Sequence, residues 1–312
     1  MSLLVLFTIT SCKNNGISDK FMIKGNIENT TLTSVDANKL KELVINEESF
    51  ILAILLNGCS ACATFKENVA NKYIEETSAT IYSIDSLLLD QSESYNNKPT
   101  YKVAPSILIY KNGKMVDSTS YSSDNKVFKE LDAFKDFIDQ YTIEPRLIEL
   151  SENKADEKLS NKESFVLYVG WYRCGDCQIL NEKVVTNYLM ENDKKVYYLE
   201  SDKYRSVKPT EEPILSKEPT EDELLAKENW DNWINFTSKY GFNEYRNGRV
   251  PALIYYENGE VKDYLIYRND VVEENLITQS FYEELIGQSK TDEELMSYHN
   301  QKALEFLNKY CQ

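Results

Sequence analysis

Histidine is almost missing from this 312-residue chain, with His299 the single example. That excludes His-rich metal sites and argues against a Ser/His/Asp triad. Basic residues are also scarce: 35 Lys and Arg face 51 Asp and Glu, a formal net charge of −16. Affinity for a nucleic-acid backbone comes mainly from Lys and Arg, so a nucleic-acid partner is excluded. The acidity otherwise describes a solvated surface. No stretch approaches the ~18 uninterrupted apolar residues of a membrane-spanning helix. What is present is a hydrophobic fraction of 42%, enough for ordinary cores, and a length that implies two domains. Six cysteines are present, and four of them form two C-x-x-C pairs, Cys59/Cys62 and Cys174/Cys177.

The N-terminus sets the redox compartment. Residues 3–9 are an apolar run too short to cross a bilayer, like the tail of a secretory signal. The run ends in Ile9-Thr10-Ser11-Cys12, which resembles a bacterial lipobox, followed by the polar tether Lys13-Asn14-Asn15-Gly16. The resemblance implies lipid attachment at Cys12, a membrane association through that lipid, and an extracytoplasmic address where disulfides persist. No Lys or Arg precedes the apolar run, which departs from the signal-peptide pattern.

An internal repeat organises the remainder. Glu48-Ser49-Phe50 returns as Glu163-Ser164-Phe165, and both C-x-x-C pairs keep the same offset of 115 residues. After each pair an apolar face recurs, Phe65, Val69 and Tyr73 in the first copy and Leu180, Val184 and Tyr188 in the second. Ala104-Pro105 through Asn112-Gly113 corresponds to Val250-Pro251 through Asn258-Gly259 at an offset of 146, so the second copy holds 31 extra residues, placed at about 203–240. The division is therefore a leader and tether over 1–20, a first domain over 21–143 and a second over 144–312.

Both copies read as the same series of elements. A helix (36–46, 152–161), capped by Asp36 or Ser151, precedes a near-continuously apolar strand (50–56, 165–170). The C-x-x-C pair opens a helix, and a second strand follows (80–84, 195–199). Then come the proline, an apolar strand, an Asn-Gly turn and a returning strand, a hairpin signal. A closing helix is predicted over 126–141 and again over 276–286, with helices in addition over 222–239 and 292–310.

This order of elements resembles the thioredoxin fold, present twice, over most of residues 32–142 and 145–290. Ser238-Lys239-Tyr240-Gly241-Phe242 and Gly248-Arg249-Val250-Pro251 carry the likeness most closely. Tyr168-Val169-Gly170, just before Cys174, is also similar to the thioredoxin-like accessory proteins of bacteriocin export in Gram-positive bacteria. The expected fold class is thus α/β, two tandem thioredoxin folds, the second with a helical insertion and an extra C-terminal helix.

A cysteine at a helix N-terminus has its thiol pKa lowered by unpaired N–H groups and the helix dipole. Cys59 and Cys174 are therefore the expected attacking thiols, and Cys62 and Cys177, one turn later, the resolving ones. The resemblance implies that Pro105 and Pro251 are cis and face the cysteines, with Ala104 and Val250 offering backbone to an extended substrate. Trp171 and Tyr172 flank the second pair and join that substrate-binding set. Arg173 is expected to favour the Cys174 thiolate and Asp176 to oppose it. The chemistry needs no cofactor and no metal, only protein or peptide thiols and disulfides as substrates and an external redox partner.

The sequence departs from the family where Ala61 and Asp176 replace a proline before the second cysteine, and Gly58 and Arg173 a tryptophan before the first. Ala53 and Tyr168 stand where thioredoxins bury a carboxylate, which favours slower, substrate-specific exchange or disulfide formation over fast reduction. The alternative function is a non-enzymatic adaptor for client peptides or export machinery with structural disulfides. A zinc site is disfavoured, because zinc ribbons space their pairs by about 15–20 residues. Cys311 is expected to be free, and His299 to sit on a helix surface. If Cys12 carries a lipid, the protein partitions into detergent, and Cys12→Ser moves it to the aqueous phase.

Overall fold

The Phe50–Leu55 run takes the central place in one sheet and Phe165–Gly170 the same place in another, as near-continuous apolarity requires. The structure is a computed structural model, and it describes residues 19–244, 247–268, 271–272, 275–276 and 292–311. Its elements in chain order are β1 (Phe21–Met22), β2 (Gly25–Asn26), β3 (Thr33–Ser34), α1 (Ala37–Ile45), β4 (Phe50–Leu55), α2 (Ser60–Phe65), α3 (Asn71–Thr77), β5 (Tyr82–Asp85), α4 (Ser86–Gln91), β6 (Ser106–Lys111), β7 (Lys114–Ser120), α5 (Leu131–Ile138) and β8 (Thr142–Ile143). The second copy continues with β9 (Leu147–Leu150), α6 (Glu152–Ser160), β10 (Phe165–Gly170), α7 (Gly175–Leu180), α8 (Thr186–Glu191), β11 (Val196–Glu200), α9 (Asp202–Arg205), α10 (Glu221–Lys239), β12 (Ala252–Glu257), β13 (Glu260–Ile266) and, among the described residues near the C-terminus, α11 (Asp292–Tyr310).

The first sheet has the order β3-β5-β4-β6-β7, and the second repeats it as β9-β11-β10-β12-β13. In both, the central strand pairs parallel with one neighbour and antiparallel with the other. This is the expected α/β architecture of two thioredoxin folds. Side chains alternate between faces as strand geometry dictates. Ile51 and Ala53 of β4 meet the helix that begins at Ser60, while Phe50, Leu52 and Ile54 meet α1.

The repeated Glu-Ser-Phe motif has a physical reason. The Glu48 and Glu163 carbonyls accept the N–H of Gly113 and Gly259, and the Ser49 and Ser164 hydroxyls accept those of Asn112 and Asn258. Phe50 stacks on Tyr110 and Phe165 on Tyr256, with centroids 4.8 and 5.0 Å apart. One tripeptide thus locks the tip and flank of each hairpin onto its central strand.

The helix after each C-x-x-C passes through one π turn, Lys66–Ala70 and Asn181–Val185. Residues at i, i+4 and i+8 drift around an ideal α-helix of 3.6 residues per turn, and the wider π turn offsets the drift. Phe65, Val69 and Tyr73 consequently all reach full burial.

Several expectations need correction. The closing helix of the first copy is interrupted: a 3₁₀ turn at Lys126–Phe128 precedes α5, with extended Glu130 between them. Six residues apart on one helix, Phe128 and Phe134 would point to different faces; the break lets both rings meet Phe65, at 5.3 and 5.7 Å. Beyond Leu276, which lies in a short strand, the helix expected over 276–286 falls outside the described residues. His299 is buried rather than exposed, set between the rings of Tyr267 and Tyr298. On α11, Ala303, Phe306 and Leu307 cover the sheet face that α5 covers in the first copy. The helix of the added segment, α10, enters the core through Trp233 and Phe236, and a Thr220/Glu223 capping box starts it. Near the N-terminus, β1 pairs with β8, but β2 pairs with β9 and so extends the second sheet, although residues 21–143 read as the first domain.

Gly259 has φ +79° and a Cβ there would run into the Leu159 carbonyl oxygen; Gly113 is in the same position against Val44. Gly259→Ala is expected to destabilise the protein by about 2–3 kcal/mol, read from denaturant unfolding, through the strained turn and that clash.

Candidate active site

Both C-x-x-C pairs sit where a central strand gives way to a helix. Cys59 and Cys174 are the N-cap residues of α2 and α7, with extended backbone at φ −82° and −88°. Each sulfur accepts the backbone N–H of the second cysteine, at 3.1 Å for Cys59 and 3.3 Å for Cys174. A cap position normally filled by Ser or Asp oxygen is thus filled by sulfur, and the N-terminal N–H groups that stabilise anions point at it. All four cysteines are free thiols; Cys62 and Cys177 are buried, while Cys59 and Cys174 are partly exposed.

Ala104-Pro105 and Val250-Pro251 are both cis. The Cys59 sulfur lies 4.0 Å from the Ala104 carbonyl oxygen and the Cys174 sulfur 3.9 Å from that of Val250. The prolines are held in place by the returning chain, since Tyr121 and Tyr267 donate their N–H groups to the Pro105 and Pro251 carbonyls. Residues 45 and 76 positions away in sequence therefore meet the two sulfurs.

The titration behaviour of the thiols follows from this geometry. Cys174 is lowered to about 7, chiefly by the hydrogen bond from the Cys177 thiol and also by the Cys177 N–H, against burial and the Asp176 charge. Cys177 is pushed far above the ordinary thiol range by that same hydrogen bond and by burial. Burial, with the hydrogen bond to Cys59, pushes Cys62 up to about 12. At neutral pH, then, Cys174 carries substantial thiolate while Cys62 and Cys177 stay protonated.

The residues around the second pair take unequal parts. Arg173 is engaged by its neighbour Tyr172: its Nε donates to the Tyr172 hydroxyl at 2.6 Å, and its guanidinium stacks on that ring. Asp176 opposes the thiolate as expected, but its charge is answered by Arg268 at 2.7 Å. Trp171 is fixed by its Nε1 donating to Asp202 at 2.8 Å, whereas Tyr172 stands 53% exposed at the rim. Tyr168, in the place of the missing carboxylate, is buried and donates its hydroxyl to the Cys177 carbonyl at 2.9 Å. Glu149 and Glu200, from β9 and β11, line a cavity of about 460 Å³ that Cys177 also reaches.

Sequence reasoning missed Arg268 and the two glutamates. The offset of 146 places Arg268 opposite Ser122, so a charge peculiar to the second copy was the available signal. Cys12 lies outside the described residues. Among the described residues, no group of three or more His, Cys, Asp or Glu side chains is placed to hold a metal ion.

No family model and no curated protein matches the chain. Solved structures similar to it include a mutant thioredoxin from Halobacterium salinarum, with 18% identity and a TM-score of 0.29 over 36% of this chain and 93% of that one. Thioredoxin f from spinach chloroplast matches with 16% identity and a TM-score of 0.24 over 33% of this chain and 93% of that one. The zinc-bound form of human ERp44 matches with 14% identity and a TM-score of 0.27 over 86% of this chain and 63% of that one.

Alkylation of the reduced protein tests the thiol order. Cys174 is expected to react with a midpoint near pH 7, with Cys62 and Cys177 silent until strongly alkaline pH. Asp176→Asn removes an opposing charge, so the Cys174 midpoint moves to lower pH; peptide mass mapping across a pH series reads both.

Proposed function

We propose that the protein is a thiol–disulfide oxidoreductase that acts outside the cytoplasm on secreted or surface proteins, anchored by a lipid on Cys12. The observation that carries the reading is the double occurrence of one arrangement: a helix-capping sulfur 3.9–4.0 Å from a backbone carbonyl that the chain folds back to present. The partly exposed backbone ahead of each cis proline, beside a nucleophilic sulfur, suits an extended peptide whose cysteine must be brought in line.

In this reading the Cys174 thiolate attacks a substrate disulfide, forming a mixed disulfide and releasing the other substrate sulfur as a thiolate. Cys177 then loses its proton and attacks the Cys174 sulfur, so that a Cys174–Cys177 disulfide forms and the substrate leaves reduced by two electrons. The reverse sequence oxidises a dithiol. Cys59 and Cys62 take the same roles at the first site. Val250 and Ala104 hold the substrate backbone, with Tyr172 at the rim of the second site. An external thiol or disulfide partner restores the starting state.

The buried, protonated Cys177 makes resolution the slower step. Cys177→Ser is therefore expected to accumulate a mixed disulfide between Cys174 and client proteins in cells, visible as reducible bands that vanish in the Cys174→Ser/Cys177→Ser protein. A folded Cys177→Ser protein that traps nothing contradicts Cys174 as the nucleophile.

A further inference from the structure

Around Cys174 the surface reverses the sign of the chain as a whole. No arginine occurs before Arg146, and the chain contains six in all. Three of them, Arg205, Arg249 and Arg268, line one cavity of about 800 Å³ together with Lys208, Cys174 and Val250. The carboxylates that share the cavity are largely spoken for: Asp176 pairs with Arg268 at 2.7 Å, and Glu212 with Lys227 at 3.2 Å. Glu211 is left as the counter-charge of the wall.

Arg205, Lys208 and Arg249 have no ion pair with a carboxylate among the described residues. Two of the three heads, those of Arg205 and Lys208, are instead held by rings and backbone. Arg205 lies 5.1 Å over the Trp171 ring, and Lys208 lies 4.6 Å over Trp230 while donating to the Pro209 carbonyl at 2.9 Å. Burial first, then the charges of Arg205 and Arg249, lowers the Lys208 ammonium below its ordinary range. Like charges crowded beside the Cys174 sulfur and the Val250 backbone are relieved when a ligand brings carboxylates. The rings of Trp171 and Trp230 hold Arg205 and Lys208 beside the cavity, so less ordering of these two side chains remains to be done on binding.

We propose that the second site selects peptide segments in which acidic residues flank the reacting cysteine, their carboxylates seated on Arg205, Lys208 and Arg249. The proposal rests on the exchange reading above and adds the substrate class. The first copy, residues 21–143, holds no arginine, so the two sites differ in the clients they take. The preference runs against the net charge of −16, which by itself favours basic peptides.

The test uses the full chain with Cys59→Ser and Cys62→Ser, fully reduced, in single-turnover mixing with peptides whose one cysteine is a thiopyridyl mixed disulfide. Attack by Cys174 on the peptide sulfur forms the Cys174–peptide disulfide and releases the thiopyridyl group as pyridine-2-thione, which is read by absorbance. Cys177 then displaces the peptide thiol. Peptides with Glu, Gln or Lys on both sides of the cysteine are compared. At low ionic strength the Glu peptide is expected to react at least ~10-fold faster than the Lys peptide. The ratio falls toward one at ~1 M salt, where the screening length is about 3 Å. Arg205→Glu with Lys208→Glu and Arg249→Glu inverts the order; if that protein does not fold, the salt series on the unaltered cluster stands as the second measurement.

Equal rates for the three peptides, or a faster Lys peptide, overturn the acidic preference while leaving exchange at Cys174 intact. No release from any peptide overturns the exchange reading itself and this proposal with it. The same Glu preference at the first site, measured with Cys174→Ser and Cys177→Ser instead, contradicts the assignment to the arginine cluster.

Discussion

Each cysteine pair is organised around one hydrogen bond, from the backbone N–H of the second cysteine to the sulfur of the first. It places the sulfur at a helix cap, turns the unpaired N–H groups of that helix toward it, and buries the second thiol one turn behind. The central strand exists to deliver the first cysteine to that point, and the proline-led strand to bring a carbonyl within 4 Å of it. At the second site a further hydrogen bond, from the Cys177 thiol to the Cys174 sulfur, together with the burial of Cys177 separates the two thiols, one lowered to about 7 and the other held protonated. A nucleophile and a resolving group are thereby distinguished by hydrogen bonding and burial.

What was legible in the sequence was whatever the local backbone demands. The C-x-x-C spacing, the cap residues Asp36 and Ser151, and the Asn-Gly turns each state a conformational requirement within a few residues. The Glu-Ser-Phe repeat was visible, but its purpose was not: Ser49 and Ser164 serve hairpins 63 and 94 residues away. The break at Glu130 was hidden because Lys126 to Tyr141 reads as one amphipathic run, and only the packing of Phe128 and Phe134 on Phe65 explains it. Likewise nothing local showed that β2 would join the second sheet or that His299 would be buried by Tyr267.

The candidate site divides in the same way. Its four cysteines were readable from their C-x-x-C spacing, and its two prolines from their repeated place before an apolar strand and an Asn-Gly turn. Its electrostatics were not, since they come from residues brought together across the fold. Arg173, adjacent in sequence, turns to Tyr172, while Arg268, 92 residues from Asp176, supplies the charge that meets it. Two copies with one backbone plan thus present different surfaces, an uncharged motif between Cys59 and Cys62 and a cation-rich cavity beside Cys174.

The central claim is that both pairs exchange electrons rather than staple the fold. Equilibration of the full chain in graded glutathione buffers, with alkylated thiols counted by mass, tests it most directly. The account predicts that each pair passes from disulfide to dithiol within the range of roughly −120 to −270 mV spanned by catalytic dithiols. Pairs that stay oxidised below about −300 mV, as structural disulfides do, would contradict it.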